Sequence, residues 1–331
     1  MIPVLIDCDP GQDDALALLL ALGSPELDVI GVTSVAGNQT LDKTTLNALR
    51  VLELAGRSDI LVAAGAERPL VGKLVVAADA HGETGLDGVD LPPPSASALA
   101  EHAKDFLAAQ LDASEAPVTL VALGPLTNVA LLLEEHPAAA AKVERVVLMG
   151  GAIHEGNQTP SAEFNIWIDP EAAARVFGSG LNVTMVGLDV TNKAVLSNAD
   201  AEGLRGAGPV AEAAADMIDF YLGLQRGLRP RRRAHPRRRR AGVRISYRPA
   251  DRGGAPRRRG HLRGDLPRQD RGGHAPAHRR PRTQRARGRR HRRGGLQEPP
   301  AGAPARLLTN FTSTLPSDFL RGKTPLPWAP G

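Results

Sequence analysis

Cysteine is all but missing: Cys8 is the only one in 331 residues. No disulfide can form within the chain, which fits a reducing, cytoplasmic setting. Long hydrophobic runs are missing too. The longest, Ala15 to Leu22, covers eight residues where a bilayer span needs about 20. The opening MIPVLIDCDPG leads straight into a strand-like run, so neither a membrane span nor a secretory leader is expected. A fibre or a disulfide-stapled miniprotein is excluded by 42% apolar residues at this length, enough for one large or two modest cores.

Lysine is absent where positive charge is densest. Between Arg229 and Arg293 there are 26 arginines, no lysine and a single aromatic, Tyr247. The formal charge of +5 conceals this division: residues 1–228 hold 12 Lys and Arg against 31 Asp and Glu, and residues 229–331 hold 29 against 5. The two parts are therefore read separately, as an acidic domain (1–228) and an Arg/Gly/Pro-rich segment (229–331).

Within 1–228 short apolar runs alternate with helical patterns. Strands are expected at 4–7, 27–35, 60–64, 118–123, 145–149 and 183–188, and helices at 13–22, 41–55, 97–111, 126–135, 170–177 and 210–227. Runs such as VTLVAL and RVVLMG are apolar throughout, as in a parallel sheet covered on both faces. The order predicts a doubly wound α/β fold with a mainly parallel sheet. Ligands of such sheets sit outside the carboxyl ends of the strands, where this chain places Asp7-Cys8-Asp9-Pro10-Gly11-Gln12-Asp13-Asp14, Gly37-Asn38-Gln39-Thr40, Leu123-Gly124-Pro125-Leu126-Thr127-Asn128 and His154-Glu155-Gly156-Asn157.

Four carboxylates within eight residues repel one another unless a cation or the positive end of a helix compensates them. Asp13 and Asp14 open an apolar helix, and Pro10-Gly11 turns the chain so that Asp7 and Asp9 can approach them. An all-oxygen cluster suits Ca²⁺ or Mg²⁺ rather than zinc. Taken alone, the Asp pair is an ordinary helix start, His81 an ordinary loop histidine, and Asn38 and Asn157, each beside a glycine, ordinary turn residues. Phe164, Met149 and Trp167 read as core or pocket wall, and His102 and Cys8 as structural.

Six segments, in order, make residues 1–228 resemble the inosine/uridine-preferring nucleoside hydrolases: DCDPGQDDA (7–15), GNQT (37–40), HGETG (81–85), LGPLTN (123–128), VVLMGG (146–151) and HEGN…AEFNIWIDPEAA (154–173). The resemblance implies cleavage of the N-glycosidic bond of ribonucleosides with Ca²⁺ as cofactor. On matching positions, Asp9 would be the general base and a calcium ligand. Asp14 and the Leu123 carbonyl would complete the metal set, with Asp7 bracing it. Asp13, Asn157, Glu163 and Asn165 would hold the ribose hydroxyls, Asn38 would lie beside water and metal, and His81 and Phe164 would lie nearer the base. A homo-oligomer is implied as well. Departure of the base leaves an oxocarbenium-like sugar, which acidic and amide side chains stabilise; calcium would orient the 2′ and 3′ hydroxyls and acidify a water.

The resemblance stops near Arg226. In the family that helix leads to a His-Asp pair, the histidine placed to protonate the leaving base and the aspartate to complete the calcium shell. This chain reads Arg233-Ala234-His235-Pro236-Arg237-Arg238 instead, with no Asp before Asp251. Three readings of 229–331 stand: a solvated disordered arm, a polyanion- or nucleic-acid-binding tail, or a GC-rich gene translated out of frame. If Pro236-Arg237-Arg238-Arg239 is encoded CCA-CGA-CGC-CGT, a start one base later gives His-Asp-Ala. A Mg²⁺-dependent phosphatase of haloacid dehalogenase type also begins with a strand ending in D-x-D. It expects Thr or Val soon after the second Asp, where this chain has Pro10-Gly11.

Overall fold

The computed structural model describes residues 1–227. Whatever was expected of 229–331, whether arm, tail or frame, lies outside them. The chain runs β1 (Ile2–Cys8), α1 (Gln12–Gly23), β2 (Leu27–Ser34), α2 (Leu41–Leu54), β3 (Val62–Ala64), α3 (Ala78–His81), α4 (Ala103–Ala113), β4 (Val118–Ala122) and α5 (Thr127–Glu135). It continues with α6 (Pro137–Ala140), β5 (Val143–Met149), α7 (Phe164–Ile168), α8 (Pro170–Phe177), β6 (Val183–Val186), α9 (Leu188–Thr191), α10 (Asn198–Leu204) and α11 (Pro209–Gly227). The six strands form one sheet in the order β3-β2-β1-β4-β5-β6, every neighbouring pair parallel. This is the expected doubly wound fold.

Side chains on β1 show why Ile2 to Ile6 are apolar throughout. Leu5 points into a cluster with Phe106, Leu107 and Leu120, while Val4 and Ile6 join Leu18, Leu52 and Met217 on the other side. Successive side chains of a strand face opposite sides, so a central strand between two helical layers needs apolar residues at every position. Leu18, Leu52, Leu107 and Leu120 are almost wholly buried, each contributing about 1.5–3 kcal/mol of transfer free energy. No helix among the described residues is long and apolar enough to cross a membrane.

Most element boundaries shift by one or two residues from expectation, and two of the differences have a clear local cause. The helix expected to start at Ser97 starts at Ala103, because Leu99 is bound to the sheet edge through its N–H to the Val62 carbonyl at 2.8 Å. His102 then caps α4, its Nδ1 accepting the Lys104 N–H at 3.2 Å. The last strand ends at Val186 rather than Leu188, where Gly187 turns the chain into α9. Short helices α3, α6, α7, α9 and α10 were not expected. Local capping bonds define several, such as the Ser197 hydroxyl accepting the Asp200 N–H at the start of α10 and Glu163 accepting the Asn165 N–H at 3.0 Å at the start of α7.

The strand order reverses between β1 and β4: from β1 the chain proceeds outward to β2 and β3, then returns to β4 on the other side. Loops that diverge at such a point leave a crevice at the carboxyl edge. The Leu123 N–H donates to the Asp7 carbonyl at 2.7 Å, so the ends of β1 and β4 are tied together there.

Candidate active site

Directly after β1 the chain makes a tight entry into α1. The Gly11 N–H donates to Asp14 Oδ2 at 3.3 Å, placing the Asp14 carboxylate back over the helix start, where free N–H groups and the dipole favour negative charge. Asp7 and Asp9 are wholly buried and Asp14 nearly so.

Each acid has a different set of partners. Asp7 Oδ1 accepts from the Thr33 hydroxyl at 2.6 Å and from Asn128 Nδ2 at 2.8 Å. Asn128 also donates to the Ser34 carbonyl and accepts from the Ala66 N–H, so one amide connects the ends of three strands. Asp9 Oδ2 accepts the Asn38 N–H at 2.6 Å. The Asn38 side chain bridges the cluster, Nδ2 donating to the Asp9 carbonyl at 3.0 Å and to Asp14 Oδ2 at 3.2 Å. Two glycines make room for the Asp9 carboxylate. A Cβ on Gly37 would lie 2.2 Å from its Oδ2, and one on Gly124 2.5 Å from its Oδ1.

Burial without full compensation raises these carboxyls. Desolvation pushes Asp7 from 3.8 to about 6, against the hydrogen bonds from Asn128 and Thr33. Asp9 rises well above the usual carboxylate range, first through desolvation and then through the Asp14 charge. Asp14 rises through desolvation and the Asp13 charge. The buried oxygens Asp7 Oδ2, Asp9 Oδ1 and Asp13 Oδ1 have no hydrogen-bond partner. Unpaired buried carboxylate oxygens are costly, and a hard cation is the chemistry that relieves them. Among the described residues no group of three or more His, Cys, Asp or Glu side chains stands close enough to hold an ion unaided. The fit therefore rests on the all-oxygen donor set and its unpaired atoms, with the Leu123 carbonyl nearby in the same cleft lining.

Above this floor opens a cleft of about 330 Å³. All seven residues expected at the substrate line it, namely Asp13, Asn38, His81, Asn157, Glu163, Phe164 and Asn165, together with Asp14 and Leu123. Asp7 and Asp9 lie beneath the surface and do not line it. The loop before α7 organises the far wall. Glu163 caps α7, Oε1 accepting from Asn165 N and Oε2 from Gly151 N and Ile166 N, yet burial still raises its carboxyl above the ordinary range. Asn157 Oδ1 accepts the Phe164 N–H at 2.8 Å. Asn165 Nδ2 donates to the Leu123 and Met149 carbonyls, which joins this wall to the end of β4.

Sequence reasoning missed Tyr221, which reaches the cleft from α11 with its ring 6.0 Å from that of His81. Burial raises its phenol. It follows Asp219 by two residues on α11, outside every recognised motif, and nothing in the local pattern marked it. Leu188, Thr191 and Ala194, which follow β6, were also missed. Trp167 packs on Phe164, with centroids 6.4 Å apart.

The family model for inosine-uridine preferring nucleoside hydrolases matches residues 4–236, a span that holds the whole site. The chain belongs to this family. The reaction class follows: it is an N-glycosyl hydrolase acting on ribonucleosides, in a family that is metal-dependent. Among its relatives, the pyrimidine-specific ribonucleoside hydrolase RihA of Shewanella sp. (strain ANA-3) is 55% identical over 221 residues, covering 66% of this chain and 70% of that one. RihA of Salmonella arizonae is 55% identical over 222 residues, covering 67% and 71%. Among solved structures, the plant nucleoside hydrolase PpNRh1 superposes with a TM-score of 0.65 at 39% identity, covering 69% of this chain and 73% of its own. A purine-preferring ribonucleoside hydrolase from Gardnerella vaginalis gives 0.65 at 34% identity, covering 68% and 73%.

Proposed function

We propose that this nucleoside hydrolase is directed at pyrimidine ribonucleosides, uses Ca²⁺, and is much reduced in activity as written. One observation carries the reading of the site: seven polar and aromatic residues from four separated segments converge on one cleft over unpaired buried carboxylate oxygens. Pyrimidine preference is supported by the RihA relatives at 55% identity, against 34% for the purine-preferring neighbour.

In this proposal Asp9 takes the proton from the attacking water. Asp14, Asp9 and the Leu123 carbonyl would hold the cation, with Asp7 bracing them from below. Bound there, calcium supplies positive charge that orients the sugar hydroxyls and acidifies water. Asp13, Asn157, Glu163 and Asn165 hold the ribose and stabilise the positive charge that develops as the base departs. Asn38, bonded to both Asp9 and Asp14, keeps the two carboxylates apart. Phe164 and His81 shape the base end.

No His-Asp pair follows α11 in the sequence, so the general acid and one metal ligand are missing, which costs about 10²–10⁴ in rate. Reading the gene over codons 226–240 tests the out-of-frame origin: a His-Asp in an alternative frame supports it, and its absence from both ends it. Uridine and inosine turnover by the chain as written, beside a frame-restored version, tests the function. The restored enzyme is expected to be faster by that factor, uridine preferred. Equal rates overturn the impairment, and inosine preference overturns the substrate assignment.

The acidic domain 1–228, cytoplasmic residence and a homo-oligomer complete the proposal. Sedimentation in solution tests the homo-oligomer.

A further inference from the structure

Gln12, the first residue of α1, is polar yet only 1% exposed, and its whole amide is engaged. Nε2 donates to the His81 carbonyl at 3.3 Å and to the Asp87 carbonyl at 3.2 Å. Oε1 lies 2.8 Å from His81 Nδ1. An amide turned the other way would set its oxygen against two carbonyl oxygens and its NH₂ against the ring, so the two carbonyls fix the orientation. An amide oxygen only accepts, and the proton in the Gln12–His81 bond therefore belongs to the imidazole. The ring is also fixed in place: a Cβ on Gly11 would lie 2.4 Å from Nδ1, and Tyr221 lies on another side. Buried as it is, His81 is held toward its neutral form by desolvation, against the Asp13 charge. A neutral ring with its proton on Nδ1 presents a lone pair at Nε2.

We propose that Gln12 is a positioning residue that holds His81 in the Nδ1-protonated tautomer, so that Nε2 accepts a hydrogen bond from an N–H or O–H of the nucleoside in the cleft. The second half rests on the function proposed above; the first does not. Long-range ¹H–¹⁵N spectra of the full-length chain read the tautomer directly, with His81→Gln identifying the His81 signals among the nine histidines. The wild type is expected to show a protonated Nδ1 and a bare Nε2. Gln12→Met, of similar shape without the acceptor, is expected to move the proton to Nε2, and Gln12→Glu, read at a pH where its buried carboxyl keeps a proton to donate to the His81 and Asp87 carbonyls in place of the amide N–H, to leave it on Nδ1. Uridine affinity, measured calorimetrically with calcium, is expected to fall about five- to tenfold in Gln12→Met and to stay within about twofold in Gln12→Glu. A wild-type proton on Nε2, or an unchanged tautomer in Gln12→Met, overturns the proposal. If Gln12→Met does not fold, the wild-type and Gln12→Glu spectra decide. If uridine binds none of the proteins, the substrate reading fails while the spectra still decide the role of Gln12.

Discussion

Gly37→Ala tests whether the acidic floor is a fitted structure. The added methyl would stand 2.2 Å from Asp9 Oδ2 and 2.8 Å from both Cγ and Cδ of Pro125. A Cβ needs at least 3.0 Å, so the carboxylate must retreat by ~0.8 Å or the proline must shift with its loop. Neither is free. Asp9 Oδ2 is bonded to the Asn38 N–H at 2.6 Å, and Oδ1 is closed in by Gly124. Overpacking costs about 1–3 kcal/mol, and loosening a hydrogen bond to a charged group about 1.5–3 kcal/mol more. We expect a loss of ~3 kcal/mol, which lowers the urea midpoint by about 1 M for a slope near 2–3 kcal/mol/M. Urea titrations followed by circular dichroism, with and without calcium, give the measurement. The displaced carboxylate is also expected to blunt the stabilisation by calcium. A Gly37→Ala protein with the wild-type midpoint and an undiminished calcium response would refute the geometry.

Other outcomes follow from the same contacts. Asn128→Ala strips partners from Asp7, the Ser34 carbonyl and the Ala66 N–H together, and is expected to destabilise by about 3 kcal/mol in chemical denaturation; a change under 1 kcal/mol contradicts the bridging role. Asp7, raised from 3.8 to about 6, holds its proton more tightly folded than unfolded. In EDTA the wild type should therefore lose stability relative to Asp7→Asn as pH rises from about 4 to about 6, by up to ~3 kcal/mol, and no further above that. A flat difference across that window would contradict the buried environment. Glu163→Gln exchanges an acceptor for an amide facing three backbone N–H groups, and is expected to cost about 1–3 kcal/mol in thermal unfolding and to weaken uridine binding.

All six strands could be read from the sequence because strands covered on both faces are short runs dominated by Val, Ile and Leu, whereas the longest apolar run, Ala15 to Leu22, is Ala- and Leu-rich and opens on an Asp pair, as a helix does. The start of α4 could not: Ser97 to Glu101 has helical composition, and only the bond from Leu99 to the edge of β3 withdraws it. At the site, the acidic octapeptide was legible because its residues are contiguous, and the AEFN segment because capping confines its acid and amides to one turn. Tyr221 was not, since its approach to His81 depends on how α11 packs against α1 and α3. Gln12 sat inside a recognised motif, yet its partner is 69 residues away and no local spacing announces it.

The reversal of strand order between β1 and β4 has a bearing on how such an enzyme can diversify. Its carboxylate floor is drawn from β1, the loop after β2 and the end of β4, three neighbours cross-linked by Asn128 and the Leu123–Asp7 bond, whereas apart from His81 of α3 much of the cleft wall arrives later, from the turn before α7 and from α9 and α11. Substitutions among the late arrivals can remould the shape of the mouth while the anchoring bed keeps its register. Under the function proposed above, the mouth of the cleft is thus free to drift along α9 and α11 while the carboxylates set by the first half keep their places.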